Sequence, residues 1–364
     1  MKCSEVIEIL GKLAPESCAC DWDNPGLLAG RSDKEVKKIY IALDATDQVV
    51  DAAIKAGADM LLTHHPLIFK GYKSITGKDY VERCILKAIK NDIVIYSAHT
   101  NLDNAPGGVN YKIAEKIGLK NVRILEPKEN CLIKLVTFVP TAQAEEVRNA
   151  LFTAGCGYIG GYDSCSYNTE GEGTFRAQEG SKPFCGNIGE LHHEAEVRIE
   201  TILPEYKKRE VIRTLLLTHP YEEPAYDLYP LYNSWAQVGA GIIGELEEAE
   251  SELEFLKRIK KTFEVGCLKH NKLTGRLIQK VALCGGAGAF LIPQAIGSGA
   301  DVFITGEIKY HDYFGRETDI LLAEIGHYES EQYTKEIFYS IIRDLFPNFA
   351  LQFSKVNTNP IKYL

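Results

Sequence analysis

No stretch of the 364-residue sequence stays apolar long enough to cross a bilayer as a helix. The start, Met1-Lys2-Cys3-Ser4-Glu5-Val6, lacks the basic opening and apolar middle of a secretory signal, so a cytoplasmic protein with no membrane partner is expected. No Cys-x-x-Cys occurs among the ten cysteines, scattered from Cys3 to Cys284, which argues against a zinc ribbon or a disulfide framework and for reduced, mostly buried thiols. No long run of Lys or Arg breaks a balance of 41 basic against 50 acidic residues, a net charge of −9, so broad nucleic-acid binding is disfavoured. With 14 Pro, 31 Gly, 45% hydrophobic and 25% charged residues the chain is neither collagenous, low-complexity nor disordered. Its length implies two or three domains.

What is present is a rhythm. Val6 to Leu10 has a helical pattern and leads to a turn at Trp22-Asp23-Asn24-Pro25-Gly26. Residues 38–43 then read as a buried strand, 46–56 as an amphipathic helix and 59–63 as a second strand, parallel to the first by the βαβ rule. A helix over 81–90 and a strand over 93–97 complete an α/β lobe. From Cys131 the pattern changes to strand, helix, a Gly- and Tyr-rich hairpin region, strand, helix and strand, which suggests an inserted ferredoxin-like α+β module. The expected division is a first α/β lobe at 1–127, the insert at 128–232 and a second α/β lobe at 233–364.

The two lobes resemble each other. Residue 38 laid on residue 280 fixes an offset of 242, and the same offset lays Ala56-Gly57-Ala58-Asp59 on Ser298-Gly299-Ala300-Asp301 without a gap. A later strand ends in His99-x-x-x-Asp103 in one half and in His327-x-x-x-Glu331 in the other. Two related lobes forming one split domain, meeting across a pseudo-twofold axis, are expected.

Chemistry gathers at strand ends. Thr63-His64-His65-Pro66 follows a Leu-rich strand at the edge where open parallel sheets place ligands. Adjacent histidines in an extended turn point apart, so they suit two neighbouring ions better than one. A His-His pair alone is more often a hydrogen-bonded surface pair. If the segment after Gly326 is helical, however, His327 and Glu331 share a face and converge on one ion or bridge two. Three such fragments in matching lobes are better explained by metal than by three solvated caps.

Trp22-Asp23-Asn24-x-Gly26-Leu27, Thr63-His64-His65-Pro66-Leu67, His99-Thr100-Asn101-Leu102-Asp103, Thr305-Gly306-Glu307 and Gly326-His327-x-x-x-Glu331, in this order, resemble the motifs of the Nif-three-like family (Ngg-one-interacting factor three), also called GTP cyclohydrolase I type 2 homologs. The resemblance covers the whole chain. It implies a pair of divalent metals held by His64, His65, Asp103, His327 and Glu331, and a toroidal homohexamer with its sites facing an internal cavity. The insert, with Gly155-Cys156-Gly157-Tyr158-Ile159-Gly160 and His219-Pro220-Tyr221-Glu222-Glu223-Pro224, resembles the PII/CutA-like domain of the longer bacterial members. His192, His193 and His219 lie outside the implied ligand set and are read as ordinary polar or interface residues.

Imidazole and carboxylate donors suit Zn, Fe, Mn or Co without selecting one. Two ions about 3.5–4 Å apart, bridged by Glu331 or Asp103, would make a shared water nucleophilic near neutral pH. The catalytic acid–base candidates are His99, one helical turn from Asp103, and Glu307, which the 242 offset lays on His65; Glu307 is equally well read as orienting a metal-bound imidazole, and His311 is weaker. Cys284-Gly285-Gly286-Ala287-Gly288-Ala289 offers amides for a phosphate but lacks the Walker lysine, and a close-packed turn explains it nearly as well. The leading expectation is a dinuclear metal-dependent hydrolase, a GTP cyclohydrolase I type 2 homolog acting on a small-molecule substrate such as a nucleotide or related heterocycle. The alternatives are a metal-binding regulatory or scaffold protein sensing a ligand through its insert, and a metal-dependent phosphoesterase.

Overall fold

Helices begin where short polar side chains can accept the free amides of a first turn. In the computed structural model, which describes residues 1–316 and 318–364, Thr46 accepts the Val49 amide ahead of helix Asp47–Lys55, Asp79 accepts that of Glu82 ahead of Tyr80–Lys90, and Ser251 accepts that of Glu254 ahead of Glu252–Thr262. Each helix buries one stripe, such as Val49, Val50 and Ala53, or Phe255, Leu256 and Ile259.

The chain divides into two units, one of residues 1–127 with 237–364 and one of 128–236. The first contains two sheets. One comprises β1 (Gly26–Ala29), β2 (Lys38–Ala42), β3 (Met60–Thr63), β4 (Val94–Ser97) and β15 (Ala350–Phe353), in the order β1-β4-β3-β2-β15. The other comprises β5 (Lys120–Lys128), β10 (Trp235–Ser251), β11 (Lys269–His270), β12 (Leu277–Cys284), β13 (Val302–Thr305) and β14 (Leu321–Glu324), in the order β11-β14-β13-β12-β10-β5. Strands β2-β3-β4 and β12-β13-β14 run parallel, extended in the first sheet by β15 parallel to β2, with an antiparallel strand beyond β4 and β14.

Side chains alternate across each strand, which decides where the core lies. Ile39, Ile41, Met60 and Leu62 of one sheet and Val281, Leu283, Val302 and Ile304 of the other belong to one buried cluster, so the inner faces of both sheets share a core. Tyr40, Ala42 and Leu61 face outwards under Val49, Val50 and Ala53, while Ala282, Cys284 and Phe303 lie with Leu291, Ile292 and Ala295. Each fully buried Leu, Ile or Phe contributes about 1.5–3 kcal/mol relative to exposure.

The repeat extends to individual hydrogen bonds. Gly57 and Gly299 end matching helices with φ of +65° and +69°. The amides of His64 and His65 both donate to the Leu43 carbonyl, and those of Gly306 and Glu307 to that of Gly286. A similar turn therefore closes β3 and β13, its acceptor one position later in the second lobe, at the edge where both lobes present their polar residues.

The second unit is a sheet of β6 (Leu132–Pro140), β7 (Ser166–Arg176), β8 (Leu191–Pro204) and β9 (Tyr226–Leu231), in the order β7-β8-β6-β9 and antiparallel throughout. Helices Ala144–Thr153 and Lys208–Thr218 bury Val147, Leu151, Val211 and Leu215 with Leu135, Val139 and Ile199 of the strands. This unit runs to Ala236 and so takes in the first two residues of β10, and the Trp235 ring stacks on that of Tyr206 with centroids 6.0 Å apart. All ten cysteines are free, but only Cys3, Cys18, Cys84, Cys156 and Cys284 are buried, fewer than expected. No helix among the described residues is long and apolar enough to cross a membrane.

Candidate metal centre

Four segments of the first unit deliver the candidate donors. His64 and His65 follow β3 directly, Asp103 ends the short helix Thr100–Asp103, and His327 and Glu331 lie one turn apart on helix His327–Glu331. Glu331 is central. Its Oε2 lies 3.0 Å from His65 Nε2 and 3.1 Å from His327 Nε2, and its Oε1 lies 3.8 Å from His64 Nε2. His64 Nε2 is also 3.5 Å from Asp103 Oδ1, and the Nε2 atoms of His65 and His327 approach to 3.3 Å. Two donor sets result, His64 with Asp103 and Glu331, and His65 with His327 and Glu331, each with its donor atoms within 4.8 Å of one another. His99 forms a third set with His64 and His65.

The opposite ring nitrogens explain this orientation. Nδ1 of His64 donates to the Ala98 carbonyl at 2.9 Å, that of His65 to Asp44 at 2.7 Å, that of His99 to Asp23 at 2.7 Å and that of His327 to Glu307 at 2.7 Å. An imidazole whose Nδ1 donates presents an Nε2 lone pair, the arrangement usual in metal-bound histidine. His64 Nε2, Asp103 Oδ1 and Glu331 Oε2 are buried yet make no hydrogen bond of proper geometry. Lone pairs that converge without hydrogen bonds call for a cation, and the donor set fits a divalent one.

Asp44 and Asp23 escaped the sequence reading as partners of the histidines. Asp44 follows β2 and also accepts from the Thr358 hydroxyl, so a residue near the carboxyl end steadies His65. Asp23 accepts from His99, from the Thr100 amide at 3.0 Å and from the Thr100 hydroxyl at 2.6 Å. Its place in Trp22-Asp23-Asn24 was the available signal.

Charge separates the three histidines around Glu331, and a cation would have to displace an Nε2 proton from two of them. Burial pushes His64 down to about 4, against the pull of Glu331, so its ring is neutral at pH 7. Burial would also lower His65 and His327, but Asp44 and Glu331 hold the first at about 10, and Glu331, with Glu307, holds the second at about 9. Burial and the charge of Glu331 raise the Asp103 carboxyl well above the usual carboxylate range. Burial acts the same way on Glu331, but three surrounding imidazoles outweigh it and hold this group well below that range. A divalent cation would favour the ionised form of both carboxyls.

Glu307 reaches the centre through His327, whose Nδ1 it accepts. The three glycine amides of the loop after β12 are engaged within the protein, which favours a close-packed turn over a phosphate cradle: Gly285 donates to Asn110 Oδ1 at 2.9 Å, Gly286 to Ser330 Oγ at 3.0 Å and Gly288 to Thr305 Oγ1 at 2.9 Å. A Cβ at Gly286 would lie 2.4 Å from Glu331 Oε1, so the loop is a close-packed seat for that carboxylate. His311 packs edge-on to Tyr310, away from any donor set among the described residues. In the second unit His219 is bound through both nitrogens, to the Phe138 carbonyl and the Tyr221 amide, and His193 pairs with Glu172.

Comparison with known proteins agrees over the whole length. The profile of the DUF34/NIF3 (NGG1p interacting factor 3) family matches residues 1–360. A protein of Halalkalibacterium halodurans named GTP cyclohydrolase 1 type 2 homolog is 40% identical over 364 residues, 99% of this chain and 98% of its own. One of the same name from Bacillus subtilis is 36% identical over 366 residues, again 99% and 98% of the two chains. A crystal structure of a Bacillus cereus protein related to NIF3 is 38% identical and superposes with a TM-score of 0.86, covering 100% of this chain and 99% of its own.

Proposed function

The chain belongs to the DUF34/NIF3 family, and from that membership and the donors gathered around Glu331 we propose that it is a dinuclear divalent-metal-dependent hydrolase acting on a nucleotide or related heterocycle. The observation that carries this is the convergence of His64 Nε2, Asp103 Oδ1 and Glu331 Oε2, buried and without a hydrogen bond of proper geometry. His64 and Asp103 would hold one ion, His65 and His327 the other, with Glu331 common to both sets. Zn, Fe, Mn and Co all suit such donors. A bound pair of divalent cations supplies Lewis acidity and draws the pKa of water towards neutrality.

The remaining polar groups divide the work of binding and proton transfer. Asp23 holds His99 by Nδ1, which leaves Nε2 to take or give a proton beside the His64 and His65 rings, whose centroids are 5.2 Å and 5.4 Å away. Glu307 is committed to His327 Nδ1, which favours a positioning role for it. Trp22 and Phe69 stand edge-on to His99 at 5.9 Å and 5.8 Å, and their exposure, 65% and 48%, leaves apolar surface for a flat ring to cover.

The relatives' name, GTP cyclohydrolase 1 type 2 homolog, makes GTP the first substrate to test. Hydrolysis would open the purine imidazole ring; a phosphoesterase would instead use the same donors at phosphorus. We further read residues 128–236 as a ferredoxin-like, PII/CutA-like insert, supported by the order β7-β8-β6-β9 with two helices sharing one core. A cytoplasmic homohexamer completes the proposal. A regulatory reading is favoured by one observation, a cavity of about 900 Å³ within the second unit.

The test is to load the purified chain with Zn, Mn or Co, measure its metal content, and assay GTP, other nucleotides and phosphodiesters. Turnover that needs the metal and disappears in Glu331→Ala supports a hydrolase, and the product formed separates ring opening from phosphoester cleavage. Full metal occupancy with no turnover on any of these refutes it and leaves the regulatory reading.

A further inference from the structure

The second unit holds a group of donors beside residues that line its cavity. β8 places His192 and Glu194 two residues apart, hence on one face of the strand, and His192 Nε2 lies 2.8 Å from Glu194 Oε2. His193, between them, projects to the other face and pairs with Glu172. The loop entering β8 adds Cys185, whose Sγ lies within 4.8 Å of donor atoms on both His192 and Glu194. A thiol, an imidazole and a carboxylate thus converge from two segments of one unit.

The surrounding chain is shaped to allow this. Gly186 has φ +78°, and a Cβ there would lie 2.8 Å from His192 Cγ, so only glycine lets the loop lie against the imidazole. Phe175 packs on the His192 ring with centroids 5.2 Å apart. Tyr221 donates from its hydroxyl to Glu196 at 2.6 Å and stands beside the Cys185 thiol. Phe175, Glu196, Tyr221 and Phe184 line the cavity, so residues that touch or adjoin the three donors form part of its wall.

We propose that Cys185, His192 and Glu194 form a mononuclear site for a borderline cation of the zinc class, separate from the centre around Glu331. Sulfur and imidazole nitrogen disfavour hard magnesium or calcium, while one donor each of sulfur, nitrogen and oxygen suits tetrahedral zinc. Three protein donors leave a fourth position for water or a ligand held in the adjoining cavity.

Cobalt distinguishes this site from the other because none of the donors converging around Glu331 is a thiol. The full chain, stripped of metal and titrated with Co2+, should develop a near-ultraviolet thiolate-to-cobalt absorption. It should be lost in Cys185→Ala and weakened at least several-fold in His192→Ala. His64→Ala and Cys284→Ala, which alter the first unit, should keep it. Reloaded with Zn2+, Cys185→Ala should hold about one equivalent less than the unaltered chain. No band at saturating Co2+, a band that survives in Cys185→Ala, or equal zinc in the two proteins would overturn the assignment. None of these readings depends on activity at the Glu331 centre, so the two proposals stand or fall apart.

Discussion

Asp301 holds the backbone of the second lobe as Asp59 holds that of the first. Asp59 Oδ2 accepts the amides of Lys37 and Lys38 at 2.8 Å and 3.0 Å, and Asp301 Oδ2 those of Gln279 and Lys280 at 3.0 Å and 2.8 Å. In each lobe the carboxylate, on the residue before one parallel strand, accepts amides at the start of its neighbour or within that neighbour's first half. A charged acceptor of two amides is worth about 1.5–3 kcal/mol, less where water competes. Asp301→Ala should therefore lower stability by about 1–2 kcal/mol. Asp301→Asn should recover much of that, since one oxygen does the accepting. The urea midpoints of the two variants check the order, and equal losses would contradict it.

Gly286 is required by Glu331 more than by its own backbone. With φ +61° any side chain there is strained, but the decisive contact is the 2.4 Å from an added Cβ to Glu331 Oε1. Gly57 has a similar φ, +65°, and nothing within 4 Å. Gly57→Ala should cost about 1 kcal/mol in stability and keep its metal. Gly286→Ala should cost a comparable amount and in addition weaken metal binding by on the order of tenfold or more, because it displaces the shared carboxylate. Elemental analysis after dialysis against limiting zinc separates the two effects.

Asp44 governs His65 from behind. Its Oδ1 fixes the ring at 2.7 Å while Thr358 donates to Oδ2. Asp44→Ala should weaken zinc binding roughly 10–100-fold, Asp44→Asn less, and Thr358→Val least, in the order in which each change frees the imidazole. Competition with a chromogenic chelator measures this, and unchanged affinity in Asp44→Ala would remove Asp44 from the site.

The legibility of these features in the sequence follows their range. The strands β2, β3, β12 and β13 were visible because burial on both faces makes continuous apolar runs, and the offset of 242 was visible because no insertion falls between residue 38 and residue 63. His64, His65, His327 and Glu331 stand in short local patterns at strand ends, and the structure brings their donor atoms together. Asp44, Asp23 and Thr358 act across 21, 76 and 314 positions, where no local period marks them. Glu307 was aligned with His65, yet it grips His327, because helix His327–Glu331 comes back over the end of β13. His192 was grouped with His193 and His219 and read as an ordinary polar or interface residue, and its hydrogen-bond partner is Glu194. Its partners are set by strand alternation and by the turn at Gly186, which a list of histidines does not contain.

Glu82 offers a test that is free of metal. Its side chain is buried, and Oε2 accepts the amides of Thr76, Gly77 and Lys78 at 2.8, 2.8 and 3.1 Å and the Thr76 hydroxyl at 3.0 Å. Burial by itself would raise this carboxyl, but those donors outweigh it and bring it down to about 2. An unfolded glutamate titrates near 4.3, so between the two values the unfolded chain binds more protons than the folded one. The ionised group therefore stabilises the fold fully above about pH 5, and this contribution falls away as the pH drops towards 2. Glu82→Gln should be less stable than the unaltered chain at pH 7, with the gap closing as acid is added. Other carboxyls titrate in both proteins, so the difference between their denaturation midpoints isolates this one. A gap that stayed constant from pH 7 to pH 3 would mean that packing of the loop at Thr76 to Lys78, and not the charge, sets the role of Glu82.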